Sequence, residues 1–261
     1  SSAASDVYKR QDQEDLEEKL ADPQTSMLIL CNPHNPVGKI WDRETLERIG
    51  ELCFKHHVLV LSDEIHCDIT RPGMEYIPFA SVSEHCKNNS ITCVAPTKTF
   101  NLAGLQTAAV IVPDAALRHR VNRGLNTDEV AEPNVFAAIA PIAAFDRGRE
   151  WLEELREYLW ENRKFAEDFI REEIPELGTV SADATYLLWI DCNALPGDLS
   201  ELAEFIRKES GLYVCDGREY GNGYGFLRMN LACRRELLKE GLERLKRSIH
   251  SYRKGISNGI I

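Results

Sequence analysis

A segment rich in ionisable side chains follows one of the most apolar runs of the sequence. The run VLVL leads directly into SDEIHCD at 62–68, which carries three acids and one histidine: Asp63, Glu64, His66 and Asp68. Such groups at the end of a buried strand could ligate a metal, line a solvated loop, or place a charge against a bound cofactor. The choice among these three interpretations depends on what else reaches the same place.

Two other polar segments also follow short apolar runs. CNPHNPVG (31–38) follows SMLILC, and PTKTFN (96–101) follows SITCVA. The short, unbroken, β-prone runs predict strands buried on both faces of a sheet. A helix that begins after Asp42 as N-cap and continues to about His56 would join the first two strands, and this connection predicts a parallel sheet. Because ligands bind at the carboxyl ends of such strands, we expect the three polar segments to meet there.

The remaining patterns predict a second, smaller unit. TAAVIVP is a further candidate strand, and from about Ala131 the pattern is helical. The predicted elements beyond it are a long amphipathic helix (151–174), a strand (185–191), a helix (198–210), a strand (225–232) and a closing helix (234–253). We therefore predict an α/β sheet domain over 12–146 and a small α+β domain over 147–256.

Composition excludes several classes of partner. The 261 residues carry a formal net charge of −11, which argues against nucleic acid and anionic membranes as partners. No apolar run approaches the roughly 20 residues that span a bilayer, and the N-terminus has no secretory signal pattern. The eight cysteines form no CxxC pair. They are typical of reduced, mostly buried thiols in a cytoplasmic protein.

One lysine, one acid and one amide at a strand-end crevice are the groups that pyridoxal 5'-phosphate requires. A lysine amine attaches the cofactor, an acid keeps the pyridine nitrogen protonated, and a neutral donor faces the phenolic oxygen. Taken alone, NPHNPVG indicates no more than a tight turn. Asp63, His66 and Cys67 match no zinc spacing, so we expect no metal site, and Glu64, Cys67 and Asp68 are expected to be structural.

Four motifs in one order carry a family resemblance. NPHNPVGKIW, SDEIHCDI, PTKTFNLAGLQ and FLRMNLAC resemble the fold-type I PLP-dependent aminotransferase superfamily (class I/II), and specifically its MalY/PatB-like C-S β-lyase, or cystathionine β-lyase, branch. The resemblance extends from about Glu14 to Arg253. It implies an aspartate aminotransferase-like partial large domain with a mainly parallel sheet, a small α+β C-terminal domain, and a homodimer.

The resemblance also implies roles for six residues. Lys98 matches the lysine that forms the Schiff base and acts as general base, and Asp63 matches the acid beneath the ring nitrogen. Asn35 matches the amide facing the phenolic oxygen. His66 stands where many relatives place a tyrosine facing that same oxygen. Thr97 could bind the phosphate, and Arg228 matches the residue that grips the substrate carboxylate.

The resemblance implies β-elimination on a sulfur amino acid, giving pyruvate, ammonia and a thiol. Transamination of an amino acid with a 2-oxo acid remains the alternative, because both reactions begin with loss of the same Cα proton. A catalytically incompetent fragment, or a regulatory module with this fold, is the alternative of another class.

One departure concerns the N-terminus. Family members are well over a hundred residues longer there, and that part carries a phosphate-binding turn, a ring-stacking aromatic residue and cross-dimer residues. The leader at 1–11, SSAASDVYKRQ, matches nothing in the family and resembles a translated sequencing adapter. We therefore expect an unstructured leader, an N-terminally truncated gene, and weak cofactor binding by this chain alone.

Overall fold

A four-stranded sheet forms the first half of the structure, a computed structural model that describes residues 13–258. The expected unstructured leader lies outside the described residues. The strands lie in the order β1 (Met27–Cys31), β2 (Leu59–Asp63), β3 (Ser90–Val94) and β4 (Ala109–Ile111). The first three are parallel and β4 is antiparallel to β3, which confirms the predicted mainly parallel sheet.

Within the described part of the chain, six α-helices accompany this sheet: α1 (Gln13–Ala21), α2 (Arg43–Lys55), α3 (Glu84–Asn88), α4 (Pro96–Thr99), α5 (Ala115–Thr127) and α6 (Val135–Arg147). The start of α2 is as predicted, since the Thr45 main-chain N–H donates to Asp42 Oδ1 at 2.8 Å. Leu46 and Ile49 of α2 are fully buried in one cluster with Val60 of β2. The apolar face of the crossover helix therefore holds the parallel strands in place.

The other face of this sheet is open. Met27 is 45% exposed and Ile29 is 60% exposed, so the expectation that β1 is buried on both faces is wrong. The physical reason is that, among residues 13–258, no layer covers these side chains. Helix α6 is similarly uncovered: it is almost entirely apolar, yet Ala137 is its one buried residue in the part of the chain described.

A second four-stranded sheet lies in the C-terminal half. Its strands are antiparallel and lie in the order β5 (Gly178–Thr179), β6 (Leu187–Asp191), β8 (Phe226–Asn230) and β7 (Cys215–Asp216). The helices α7 (Arg149–Glu173), α8 (Leu202–Ser210) and α9 (Arg235–Ser257) enclose one large core with it. The two-residue strands β5 and β7 were not predicted, because so short a segment has no detectable periodicity.

Close main-chain contacts join the two sheets. Gly38, at the end of NPHNPVG, has a φ of 76°, and a Cβ built there would lie 2.6 Å from the Ala184 carbonyl oxygen. Only glycine fits this approach. Thr70, just after SDEIHCD, forms an isolated bridge with Ala184. The loops after β1 and β2 are thereby fixed against the chain that enters β6. The domain boundary near residue 146 stays a prediction.

No helix within 13–258 combines the length and apolar composition needed to cross a membrane.

Candidate functional site

The three polar segments begin at neighbouring strand ends. In the parallel ladder Asp63 is in register with Cys31 on one side and with Cys93 on the other. The ladder continues one step further, since the Asn32 main-chain N–H donates to the Asp63 carbonyl at 3.0 Å and the Glu64 N–H donates to the Cys93 carbonyl at 2.9 Å. The chain segments that leave β1, β2 and β3 therefore start side by side at one edge of the sheet, as predicted.

Asp63 presents a half-buried carboxylate at this edge. Its Oδ1 accepts a hydrogen bond from the Ile65 main-chain N–H at 3.2 Å. This bond holds the side chain against the turn that follows β2 and leaves Oδ2 for a further donor.

Asn35 and Arg228 meet across the molecule although they are 193 positions apart. Arg228 Nη1 donates to Asn35 Oδ1 at 3.1 Å. Arg228 Nη2 donates to Cys215 Sγ at 3.3 Å, and the guanidinium carbon lies 4.6 Å from the Tyr220 ring centroid. The guanidinium is thus held by three contacts. Because the Asn35 side-chain oxygen accepts from Arg228, the amide nitrogen of Asn35 remains as the donor of that side chain.

His66 is the most deeply buried of the predicted site residues, at 3% exposure. Burial, together with the positive charges of Lys98 and Arg228, lowers the pKa of His66 to about 4. The His66 ring meets the Tyr186 ring edge-on with centroids 5.7 Å apart. His66 Nδ1 is buried without a hydrogen-bond partner among the described residues. Buried polar atoms in folded proteins usually have a hydrogen-bond partner, so this imidazole nitrogen is an exception.

Lys98 lies on α4, immediately after β3, and its side chain is exposed. Its positive charge and that of Arg228 both oppose protonation of His66 and lower the pKa of that imidazole. Thr97 is half-buried beside Lys98, and its carbonyl accepts from the Leu102 main-chain N–H at 3.0 Å. Thr97 directly precedes the lysine in α4.

The other acids of SDEIHCD serve the fold. Glu64 is 2% exposed and accepts hydrogen bonds from Ser62 Oγ at 2.9 Å and from the Phe79 main-chain N–H at 3.0 Å. Burial raises the pKa of the Glu64 carboxyl, and these bonds oppose that effect. Asp68 accepts from Thr99 Oγ1 at 2.9 Å. Among residues 13–258 no cluster of metal-ligating side chains is found.

All eight cysteines are free. The expectation that most are buried is wrong, because only Cys53, Cys86 and Cys192 are. The other five are half-buried; among them, Cys31 and Cys93 are in register with Asp63, and Cys215 accepts a hydrogen bond from Arg228. Thiols are small enough to be accommodated at a crevice as well as in a core.

Sequence reasoning missed several residues of this site. Tyr186 was assigned only to a strand, and Cys215 and Tyr220 lie in a segment with no periodic signal. Cys31 and Cys93 could have been found, since aligning the predicted parallel strands by their apolar runs places both beside Asp63.

Comparisons with known proteins define the class. The family profile of aminotransferase class I and II matches residues 4–245. The chain belongs to this family, and the predicted resemblance is confirmed.

Individual relatives narrow the branch. The cystathionine beta-lyase PatB of Bacillus subtilis (strain 168) is 43% identical over 239 residues, which are 91% of this chain and 62% of PatB. Protein MalY of Escherichia coli (strain K12) is 33% identical over 240 residues, 91% of this chain and 61% of MalY. The crystal structure of cystalysin from Treponema denticola, which contains a pyridoxal 5'-phosphate cofactor, superposes with a TM-score of 0.91 at 30% identity, covering 95% of this chain and 63% of cystalysin.

These comparisons confirm the fold-type I assignment and the MalY/PatB-like branch. The chain spans about three fifths of the length of the relatives it matches.

Proposed function

We propose that this chain carries the catalytic residues of a PLP-dependent C-S β-lyase that acts on a sulfur amino acid such as cystathionine. The observation that supports the proposal is that the segments bearing Asn35, Asp63 and Lys98 leave neighbouring parallel strands at one edge of the sheet, and that Arg228 is hydrogen-bonded to Asn35. The 43% identity to the cystathionine beta-lyase PatB supports the choice of reaction.

The residues present fit pyridoxal phosphate. The partly buried Asp63 carboxylate suits a protonated ring nitrogen, and the exposed amine of Lys98 suits covalent attachment. The orphaned His66 Nδ1 and the Asn35 amide nitrogen suit the polar edge of the ring. When bound, the cofactor supplies a ring that accepts the electrons released at the substrate Cα.

Two residues handle protons. The Lys98 amine takes the proton from the substrate Cα, and it can later return a proton to the leaving sulfur. The negative charge of the Asp63 carboxylate keeps the ring nitrogen protonated. Without this partner, a charged ring nitrogen in a partly buried site would carry an uncompensated desolvation cost.

Arg228 binds the substrate carboxylate. A guanidinium has five N–H donors, and the contacts to Asn35 and Cys215 use one on each terminal nitrogen. The remaining donors can form the two parallel bonds that a carboxylate accepts. The Tyr220 face and the Asn35 amide restrict rotation of the group, so less entropy is lost on binding.

His66 serves as a neutral group. With a pKa of about 4 its imidazole stays uncharged at neutral pH, so it adds a hydrogen-bonding atom beside Lys98 without adding positive charge. Thr97 offers its hydroxyl to the cofactor phosphate.

The product assay tests the reaction. The protein, supplied with pyridoxal phosphate and L-cystathionine, is expected to release pyruvate, ammonia and homocysteine in equal amounts, and Lys98→Ala is expected to abolish all three. Because the family also contains aminotransferases, a 2-oxo acid acceptor is included in a parallel sample. Transfer of the amino group to that acceptor, without release of free ammonia, would contradict β-elimination and show that the reaction is transamination.

We also propose that the functional protein is a cytoplasmic homodimer. The support for association is α6, on which large apolar side chains are uncovered: Val135 (77% exposed), Phe136 (68%), Ile139 (63%), Ile142 (62%) and Phe145 (53%). Sedimentation should give twice the mass of one chain, and Ile139→Glu should shift it towards the monomer. An unchanged monomeric mass in the unsubstituted protein would contradict the proposal.

A further inference from the structure

Two thiols flank the Asp63 carboxylate in a single cross-strand row. Cys31 of β1 and Cys93 of β3 are each in register with Asp63 of β2. Residues in register on neighbouring parallel strands direct their side chains to the same face of the sheet, about 5 Å apart. All three are half-buried. The row therefore presents thiol, carboxylate and thiol on one face of the sheet at the edge where the site lies.

The environment of this row keeps its two thiols in the neutral form. Burial raises the pKa of the Cys31 thiol, and the neighbouring Asp63 carboxylate raises it as well. Burial and then Asp63 raise the pKa of the Cys93 thiol in the same way. Both thiols therefore remain protonated beside the carboxylate.

Cys31 also connects the row to the NPHNPVG loop. Its Sγ–H donates to the Pro33 carbonyl at 3.5 Å, and the Asn35 main-chain N–H bonds to the same sulfur. One side chain thus contacts the loop that positions Asn35 and stands beside Asp63. The Cys31 thiol therefore links the positions of Asn35 and Asp63, two residues of the proposed cofactor site.

The choice of sulfur has a consequence for the carboxylate. A thiol is a weak hydrogen-bond donor, whereas a hydroxyl in the same place would donate strongly to the Asp63 carboxylate. A carboxylate that already accepts a strong bond from a side chain attracts a protonated nitrogen less, because the two donors share its charge. Neighbours that donate weakly leave the full charge for the ligand.

We propose that Cys31 and Cys93 are positioning residues that form, with Asp63, the platform for the cofactor's ring nitrogen and keep the carboxylate free to pair with it. This inference rests on the proposed function. The inference extends the proposed function to two side chains that neighbour Asp63 and do not touch the reacting atoms.

Thiol footprinting tests the location without any substitution. The protein is treated with N-ethylmaleimide with and without saturating pyridoxal phosphate, and modification of each cysteine is followed by peptide mass spectrometry. Cofactor is expected to slow modification of Cys31 and Cys93 at least tenfold. Cys233, which is also half-buried and whose pKa is also raised by burial, packs against the core of the second sheet and should be unaffected.

A matched pair of variants tests the role. Cys93→Ala and Cys93→Ser are similar in size and differ in one donor. We expect the dissociation constant of pyridoxal phosphate, measured by the absorbance of the bound cofactor, to be raised less by Cys93→Ala than by Cys93→Ser. For Cys93→Ser we expect it to rise about fivefold or more. A role in packing alone would affect both variants alike or the alanine variant more.

These experiments distinguish failure of this inference from failure of the proposed function. Cofactor attached to Lys98 together with unprotected Cys31 and Cys93, or equal affinities for the Cys93→Ala and Cys93→Ser variants, would overturn this inference and leave the proposed function intact. No cofactor at Lys98 at any concentration would overturn the proposed function and this inference with it.

Discussion

Replacing His66 with phenylalanine should remove a pH dependence of stability that can be calculated from the structure. The pKa of His66 is lowered from 6.5 to about 4. Because the folded-state value lies below the unfolded-state value, the unfolded chain binds a proton first as the pH falls. The stability that His66 contributes is therefore complete above pH 6.5 and is lost as the pH falls towards 4. At about 1.36 kcal/mol per pKa unit, the full loss is about 3 kcal/mol.

The assay is urea unfolding of the original protein and of His66→Phe at pH 7.5 and pH 4.5, followed by circular dichroism. Phenylalanine preserves the edge-on ring contact with Tyr186 and cannot titrate. The difference in unfolding free energy between the two proteins should change by about 2.5 kcal/mol between these pH values, in favour of the variant at low pH. His119→Phe, at an exposed position on α5, is the matched control and should leave the original pH dependence unchanged.

Parallel stability curves for the original protein and His66→Phe would refute the reasoning. Such a result would mean that the imidazole is not held neutral by burial beside Lys98 and Arg228, and the description of the site would lose its electrostatic basis.

Three further predictions follow from the same structure. Lys98→Met should raise the pKa of His66, because it removes a positive charge that opposes protonation, and an NMR titration of the imidazole should show this; no change would place the two side chains far apart. Glu64→Gln keeps an acceptor for both hydrogen bonds and removes a buried charge, so its unfolding free energy relative to the original should increase from pH 4.5 to pH 8. A constant difference would show that Glu64 bears no desolvation cost. Asn162→Ala removes the amide that donates to both the Leu231 and Cys233 carbonyls and should cost about 2 kcal/mol in denaturant unfolding, because these carbonyls keep only the bonds from the Cys233 main-chain N–H and the Tyr158 hydroxyl; a loss below about 0.5 kcal/mol would contradict this.

The sheet and the place of the site could be predicted because both depend on local patterns. Short apolar runs that end in polar segments, joined by a helix with an N-cap at Asp42, allow few arrangements other than a parallel sheet with those segments at one edge. The ladder that places Asp63 between β1 and β3 follows directly from that arrangement.

The rest depends on contacts that no local pattern encodes. Asn35 and Arg228 are 193 positions apart, and their hydrogen bond exists because Gly38 lets the first loop approach the chain before β6. The exposed faces of β1 and α6 could not be anticipated either. An apolar strand or helix predicts that its side chains are buried. Which layer covers those side chains is a property of the whole assembly.

The central claim is that Lys98 and Asp63 serve opposite ends of one pyridine ring, and reductive trapping tests it most directly. The protein and its Asp63→Asn variant are incubated with pyridoxal phosphate, reduced with borohydride and mapped by peptide mass spectrometry. We expect Lys98 to carry the pyridoxyl label in preference to surface lysines such as Lys55 and Lys208. We also expect Asp63→Asn to lower the Lys98 label at least tenfold while the surface labelling stays constant. Equal labelling of Lys98 and the surface lysines, or a Lys98 label unaffected by Asp63→Asn, would contradict the central claim.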